Sequence, residues 1–277
     1  MLTTIKIKQS KLNFAITNDI VIFEYTCENN TIKKTVEEAV KQGVSLACAD
    51  LHNADLSGAN LAGVNLETAN LQGTDLSGAN LKSANLQGTD LSGANLQGTD
   101  LNGADLAYTH IQYTKFENTI LTNAILFGAF LSCVNIKNTN LSSADLTYAN
   151  FSFCEINNTI IDFPMACPET GSFIGWKKVF DVIKTGKTYL VKLEIPENAK
   201  RSSATTDKCR CEFAKVLEIW DLQDNVNVPE VTNYNIKETV YKVGEMVYPD
   251  KWDDNRWNEC SNGIHFFMDQ QRAINYK

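Results

Sequence analysis

The chain reads as an all-β solenoid, with strands and a helix before it and a small α+β domain after it. Three observations carry this reading. A large apolar residue recurs at every fifth position from Leu46 to Ile161, through Leu51, Leu56, Leu61, Ile111, Phe116, Leu121, Ile136, Leu141, Phe151 and Ile156, for 24 consecutive pentads. A compact residue stands two places before the large ones, as at Ala49, Ala54, Ala59, Val64, Thr74, Thr89, Ala124, Val134 and Cys154. Beyond residue 165 the period is lost and alternating strand patterns take over. A spacing of five suits neither the period of about 3.6 of a helix nor that of about 2 of a strand. The chain must therefore turn at fixed intervals, each pentad repeating the last.

The elements follow in order. Residues 1–30 alternate as strands do, with Ile5, Ile7, Ile16, Ile20, Ile22 and Phe23 on the apolar side. Thr31 to Gln42 then reads as a short helix with an apolar face of Val36, Ala39 and Val40, stopped by Gly43. The end coils of a solenoid are exposed edges, and this segment, residues 1–45, is expected to cap the first one. In residues 46–165 the large and compact residues share an inward face, because side chains at i and i+2 point the same way in extended backbone. The residue between them, usually Asp or Asn (Asp50, Asn60, Asn70, Asp90), faces outward. Gly58, Gly63, Gly73, Gly78, Gly88 and Gly93 recur where a corner is needed.

Pentads such as Ala49-Asp50-Leu51-His52-Asn53 and Ala94-Asn95-Leu96-Gln97-Gly98 resemble the pentapeptide-repeat family. The resemblance implies a right-handed quadrilateral β-helix with four pentads per coil. Six such coils, stacked at the spacing of paired strands, would make a rod roughly 30 Å long.

Charge is uneven. Residues 46–165 carry eleven acidic and three basic residues, whereas the flanking segments are close to neutral. Some rods of the family mimic duplex DNA and bind topoisomerases through an acidic surface, so the resemblance admits a DNA-mimic inhibitor. The plainer reading is that Asp serves the repeat and keeps the rod soluble. The acidity argues against direct nucleic-acid binding. No apolar run reaches membrane-spanning length, so no membrane partner is expected. Eight cysteines stand singly, which suits a reducing cytoplasm. Cys154 falls at an inward place, as a small apolar side chain.

From Tyr108 to Phe130 the outward and corner places turn apolar: Tyr108, Tyr113, Ile120, Ile125, Phe127 and Phe130, followed by Tyr148, Phe153 and Ile160. An apolar patch of this kind needs a cover. The following domain, a second copy in a homodimer, or a foreign protein partner would serve.

Residues 166–277 carry strand patterns at 188–195, 211–219, 238–243 and 263–267, with a short final helix over 268–276. Cys167-Pro168, Gly171 to Lys177, Arg201 to Ala204, Lys208 to Cys211 and Cys260 to Phe267 resemble an uncharacterised domain attached to pentapeptide repeats in phage and large-DNA-virus proteins. That implies a viral protein acting in a host cytoplasm, and no activity. Gly263-Ile264-His265-Phe266 before a helix is similar to the nicotinamide pocket of ADP-ribosyltransferases, with His265 at the place of a stacking ring. No second histidine stands in this domain and no glutamate is placed for catalysis, so a nucleotide-binding or transferase role is the minor alternative. Cys167, Cys209, Cys211 and Cys260 could converge on a metal, although the one-residue gap of Cys209-x-Cys211 is short for structural zinc. Gly186-Lys187-Thr188 lacks the first glycine of a phosphate loop, Asp181 standing in its place. Trp252 and Trp257, among Asp250, Asp253 and Asp254, could form the lip of a ligand site with Gly263 and His265. No cofactor is called for, and the chain reads as a non-catalytic binding or scaffold protein.

Overall fold

The computed structural model describes residues 1–10, 20–161, 165–181, 185–233, 239–256 and 262–276. The chain forms two compact units, Met1–Phe163 and Pro164–Lys277.

The first unit opens with β1 (Leu2–Gln9) and β2 (Val21–Glu28), an antiparallel pair with a bulge between Ile7 and Lys8. Ile16 lies outside the described residues. Helix α1 (Ile32–Lys41) begins at Thr31, whose side chain accepts the Lys34 amide, and ends before Gly43, at φ +69°. Its buried face is Thr35, Val36 and Ala39; Val40 is only half-buried. The helix touches the first coil through two polar contacts. Lys33 Nζ donates to the Ser57 carbonyl at 2.6 Å, and the Asn60 amide donates to Glu37 Oε1 at 3.0 Å. Strand β3 (Ala49–Asp50) pairs with the end of β1, giving the order β2-β1-β3.

From there the chain coils. Parallel bridges join residues twenty apart, as Asp50 to Asn70, Asn70 to Asp90, Asp90 to His110 and His110 to Phe130. Late in the unit the bridges lengthen into β4 (Asn135–Lys137) and β5 (Glu155–Asn157), paired in parallel. One coil is therefore four pentads. Leu76, Leu96 and Phe116 follow one another in one wall, each fully buried. Their amides continue the ladder, Leu76 to the Asn95 carbonyl and Leu96 to the Lys115 carbonyl, both at 2.9 Å. Burying a leucine side chain is worth about 1.5–3 kcal/mol, so this column is the main source of cohesion.

Three further devices lock the coils. Where the compact inward residue is threonine, its hydroxyl reaches the coil before. Thr74 donates to the Leu51 carbonyl, Thr89 to Leu66 and Thr99 to Leu76, each at 2.8 Å. The Cys154 thiol makes the same bond to the Leu131 carbonyl at 2.9 Å, and burial pushes that thiol up to about 11. On the outside, Asp and Asn fold back on their own corner: Ser57, Ser77 and Ser92 amides donate to Asp55, Asp75 and Asp90. The hydroxyl and amide of Ser57 hold Asp55 below the ordinary carboxylate value. Side-chain amides also bond along the rod, Asn70 to Asp50 at 3.2 Å and Asn80 to Asn60 at 3.0 Å.

The second unit is mostly antiparallel sheet. Its strands are β6 (Phe173–Asp181), β7 (Lys187–Ile195), β8 (Arg201–Ser203), β9 (Lys208–Cys211), β10 (Ala214–Asp221) and β11 (Val226–Asn227). They are followed by β12 (Glu230–Asn233), β13 (Thr239–Lys242), β14 (Met246–Val247) and β15 (Ile264–Phe267). The main sheet runs β11-β10-β7-β6-β15-β9-β8 with β14 against β10, while β12 and β13 form a hairpin of their own. The last strand thus lies inside the sheet, between β6 and β9. One face carries the core of Val191, Leu193, Cys209, Cys211, Val216 and Phe266. On the other, Leu190, Phe267 and Trp176 pack with Ala273 of α2 (Gln270–Asn275), which Asp269 caps. The expected strand over 211–219 is two strands: the Glu212 amide turns aside to the Lys200 carbonyl at 2.9 Å.

Candidate functional site

Among the described residues, the second residue after each large one sits at a corner with φ near +60°, which suits glycine or asparagine. Four aromatic residues occupy such corners: Tyr108 (φ +57°), Tyr113, Tyr148 and Phe153 (each φ +60°). A bulky side chain in left-handed backbone costs on the order of 1–2 kcal/mol, so the fold gives up stability at each of these places. All four are exposed, Phe153 at 78 % and Tyr113 at 71 %.

The twenty-residue register shows how the expected patch is laid out. Tyr108, Gly128 and Tyr148 stack on one corner, and Tyr113, Cys133 and Phe153 on the next. The Tyr108 ring lies over Gly128, where an added methyl would meet its Cε1 at 2.9 Å. Phe127, half-buried beside this corner, meets Tyr108 and Tyr148 edge-on at 5.5 and 5.4 Å. On the wall between the two corners the His110 and Phe130 rings stack at 4.9 Å. Ile125 stands on the wall before, and Ile120 on the wall before that, sharing its column with Ile160. The apolar residues hence wrap round several walls, and their aromatic centre is the stretch from the Tyr108 corner to the Tyr113 corner. A groove of about 440 Å³ adjoins it, lined by Gln97, Tyr113, Lys115, Glu117, Cys133 and Asn135 among others. A second, of about 590 Å³, lies where Lys8, Gln9 and Ser10 meet Asp50, His52 and Asn70; His52 Nδ1 is 2.6 Å from Asp50 Oδ1. Nothing in the pattern of hydrophobicity pointed to this groove.

In the second unit, Trp252 is half-buried and is no open lip. Its indole nitrogen donates to Asp254 Oδ1 at 2.7 Å, and its ring lies 5.2 Å from the Arg210 guanidinium. Its edge crosses Gly263, where a Cβ would come within 3.3 Å of the indole. Gly263 thus serves this packing. Arg210, 1 % exposed, holds the loop from inside by donating to the carbonyls of Asp253, Asn255 and Asn262. The sequence reading missed Arg210, because an arginine alternating with cysteines in a strand gives no sign that it points inward. Trp257 lies outside the described residues. His265 is half-buried in β15, and its carbonyl accepts Lys177 Nζ at 3.2 Å. Burial, with Lys208 nearby, pushes Lys177 down to about 8.

Among the described residues no group of three or more His, Cys, Asp or Glu is placed to hold an ion. Cys260 lies outside them. Cys167 and Cys209 belong to one buried cluster, and Cys209 Sγ donates to the Asp207 carbonyl at 3.7 Å. The neighbouring Cys209 thiol, with the Arg201 and Arg256 charges assisting, holds Cys167 below the ordinary thiol value, whereas the Cys167 neighbour and burial raise Cys209. Cys211, fully buried, is raised by desolvation.

Known proteins give the family. Residues 49–88, 84–123 and 124–161 match Pentapeptide repeats (8 copies), and residues 163–273 match a family of unknown function, DUF5758. No curated protein matches the chain. Among solved structures, a pentapeptide repeat protein of the Arabidopsis thaliana thylakoid lumen is 28% identical over 39% of this chain and 68% of its own, with a TM-score of 0.29. HetL of the cyanobacterium Nostoc sp. strain PCC 7120, a pentapeptide repeat protein involved in heterocyst differentiation regulation, is 31% identical over 40% of this chain and 59% of its own (TM-score 0.22). Another Nostoc PCC 7120 pentapeptide repeat protein is 30% identical over 48% of this chain and 88% of its own (TM-score 0.30). The chain belongs to the pentapeptide-repeat family, and it joins those repeats to a DUF5758 domain.

Proposed function

We propose that the chain is a non-catalytic binding protein that engages a protein partner through the aromatic corners of its rod. In this reading the rod, residues 46–165, is a right-handed quadrilateral β-helix, capped by residues 1–45 and followed by a second binding module in 166–277. The resemblance of that module to domains of phage and large-virus proteins supports an accessory protein acting on a host factor in the host cytoplasm. The observation that carries the proposal is the set of exposed aromatic rings at Tyr108, Tyr113, Tyr148 and Phe153, all in backbone that favours glycine. Stability alone selects against them there, so another demand, an aromatic contact surface, accounts for their presence.

The test is capture from a host lysate with the full chain and a Tyr113→Asn/Phe153→Asn variant. Asparagine tolerates the left-handed corner, so the variant keeps its fold while losing both rings. The proposal expects at least about a tenfold loss of the captured partner, the scale of one buried aromatic anchor. Capture unchanged by the variant would sink it.

The excess of acidic over basic residues in 46–165 favours a second reading, inhibition of a DNA-handling enzyme by imitation of DNA. Against it, Asp55, Asp75 and Asp90 are each engaged with their own corner, so repeat geometry already accounts for them. Imitation of DNA requires binding that weakens steeply with salt; an aromatic contact does not.

A further inference from the structure

We propose that the partner of the aromatic corners is an amphipathic α-helix, laid along one wall of the rod from Asn70 to Asn150. This rests on the reading of those corners as a contact surface. The wall is the column Asp50, Asn70, Asp90, His110, Phe130 and Asn150, joined by parallel bridges twenty residues apart. Two corners flank it. On one, Tyr108 and Tyr148 stand either side of Gly128, with the half-buried Phe127 edge-on to both rings. On the other, the exposed Tyr113 and Phe153 stand either side of Cys133. Rings therefore border both sides of a floor made by the stacked His110 and Phe130. The result is a trough that runs along the rod.

Width selects the occupant. The short extended stretch between the two corners sets them roughly 10–13 Å apart. An α-helix with its side chains is about 10–12 Å across and fills that span. A single strand takes up only about 4.8 Å of width and would leave one row of rings uncovered. Charge then sets the composition of the helix. Toward the first coil the flanking corners lose their rings, as at Thr68 and Gly88, and the same floor opens into the groove of about 590 Å³ lined by Asp50, His52, Asn70, Gln72 and Asp90 among others. Along its length the floor thus changes from two stacked rings to two carboxylates, Asp50 and Asp90. The helix that fits carries apolar residues at i, i+3, i+4 and i+7 over His110 and Phe130, and Lys or Arg at the end over Asp90 and Asp50. From Asn70 to Asn150 is a span of about 19 Å, or about 13 helical residues.

The test places the photo-crosslinker p-benzoylphenylalanine at Asn70 and, separately, at Phe130 of the full chain, and maps the partner residues captured from host lysate by mass spectrometry. The column already carries rings at His110 and Phe130, so it accommodates the probe, and melting curves check the fold. The two positions lie about 14 Å apart along the rod. A helix puts the two captured sites about 10 residues apart in the partner, within one amphipathic stretch, whereas an extended segment puts them only about 4 apart. Asp90→Asn should weaken capture about two- to fivefold at low salt and match the wild type at high salt. The helix is overturned by sites about 4 residues apart, by sites in a second copy of this chain, by capture from Phe130 alone, or by capture indifferent to Asp90→Asn at low salt. Each of these leaves the aromatic contact standing if Tyr113→Asn/Phe153→Asn still loses the partner; capture unchanged by that variant sinks both.

Discussion

A hydroxyl in a dry core must find an acceptor, and the inward threonines find theirs in the preceding coil. Thr99→Val removes the bond to the Leu76 carbonyl, which keeps the Ala79 amide as a second partner. The expected cost is about 1 kcal/mol, read from the urea midpoint at unchanged m-value. Removing volume costs more: Phe116→Ala, at a fully buried position, should lose about 3–5 kcal/mol. Charge gives predictions about pH. Lys177 is pushed down to about 8, while the unfolded chain keeps its proton up to the ordinary lysine value. Between the two values the unfolded state binds more protons, so stability should rise with pH. In Lys177→Met that alkaline rise should disappear from urea midpoints taken from about pH 8 to about pH 10. Asp221 has the same sign in the acid range. Its hydrogen bond from Lys187 depresses it, so its contribution is present above the unfolded carboxylate value and fades as pH falls through the folded one. Asp221→Asn should be less stable at neutral pH, with a shallower loss in acid.

At the scale of elements, what the sequence tells depends on how often a pattern recurs. The pentads were legible down to single residues, because Leu76, Leu96 and Phe116 restate one environment coil after coil. The threonine bonds could have been read from the same register, since every inward threonine faces a carbonyl; the signal is its hydroxyl in an otherwise apolar row. Strand β6 was not legible. Its core-facing positions run Phe173, Gly175, Lys177, Val179, and the lysine breaks the alternation that marks a strand. The apolar run from Cys211 to Ile219 conceals the turn at Glu212. The binding surface was legible only in part. Composition picked out Tyr108, Tyr113 and Phe127, but their division between corners and walls follows from the coil period. That arrangement is testable at Gly128, where Gly128→Ala must displace the Tyr108 ring and should quench or shift its fluorescence. Gly78→Ala, at a similar φ but with no atom within 4 Å of the new methyl, should leave the tyrosine signal unchanged.

At the scale of the molecule, each compact unit carries its own core. In the first, every column of side chains runs twenty residues per step, so deletion of whole coils and of single pentads should differ sharply. Removing residues 66–85 leaves each remaining position above a partner of its own kind. Removing residues 66–70 turns every later wall round by one side relative to residues 46–65, and sets Lys115 in the column of Asp50, where His110 now stands. Circular dichroism melts should show a cooperative transition for the first deletion and a broadened, lowered one for the second. The period also means that neither end of the rod sets its phase. Copying one coil's worth of codons in frame would lengthen the rod by a single step and leave the aromatic corners in line. Such a protein can serve as a ruler whose length changes by duplication in the gene while the surface it presents keeps its bearing.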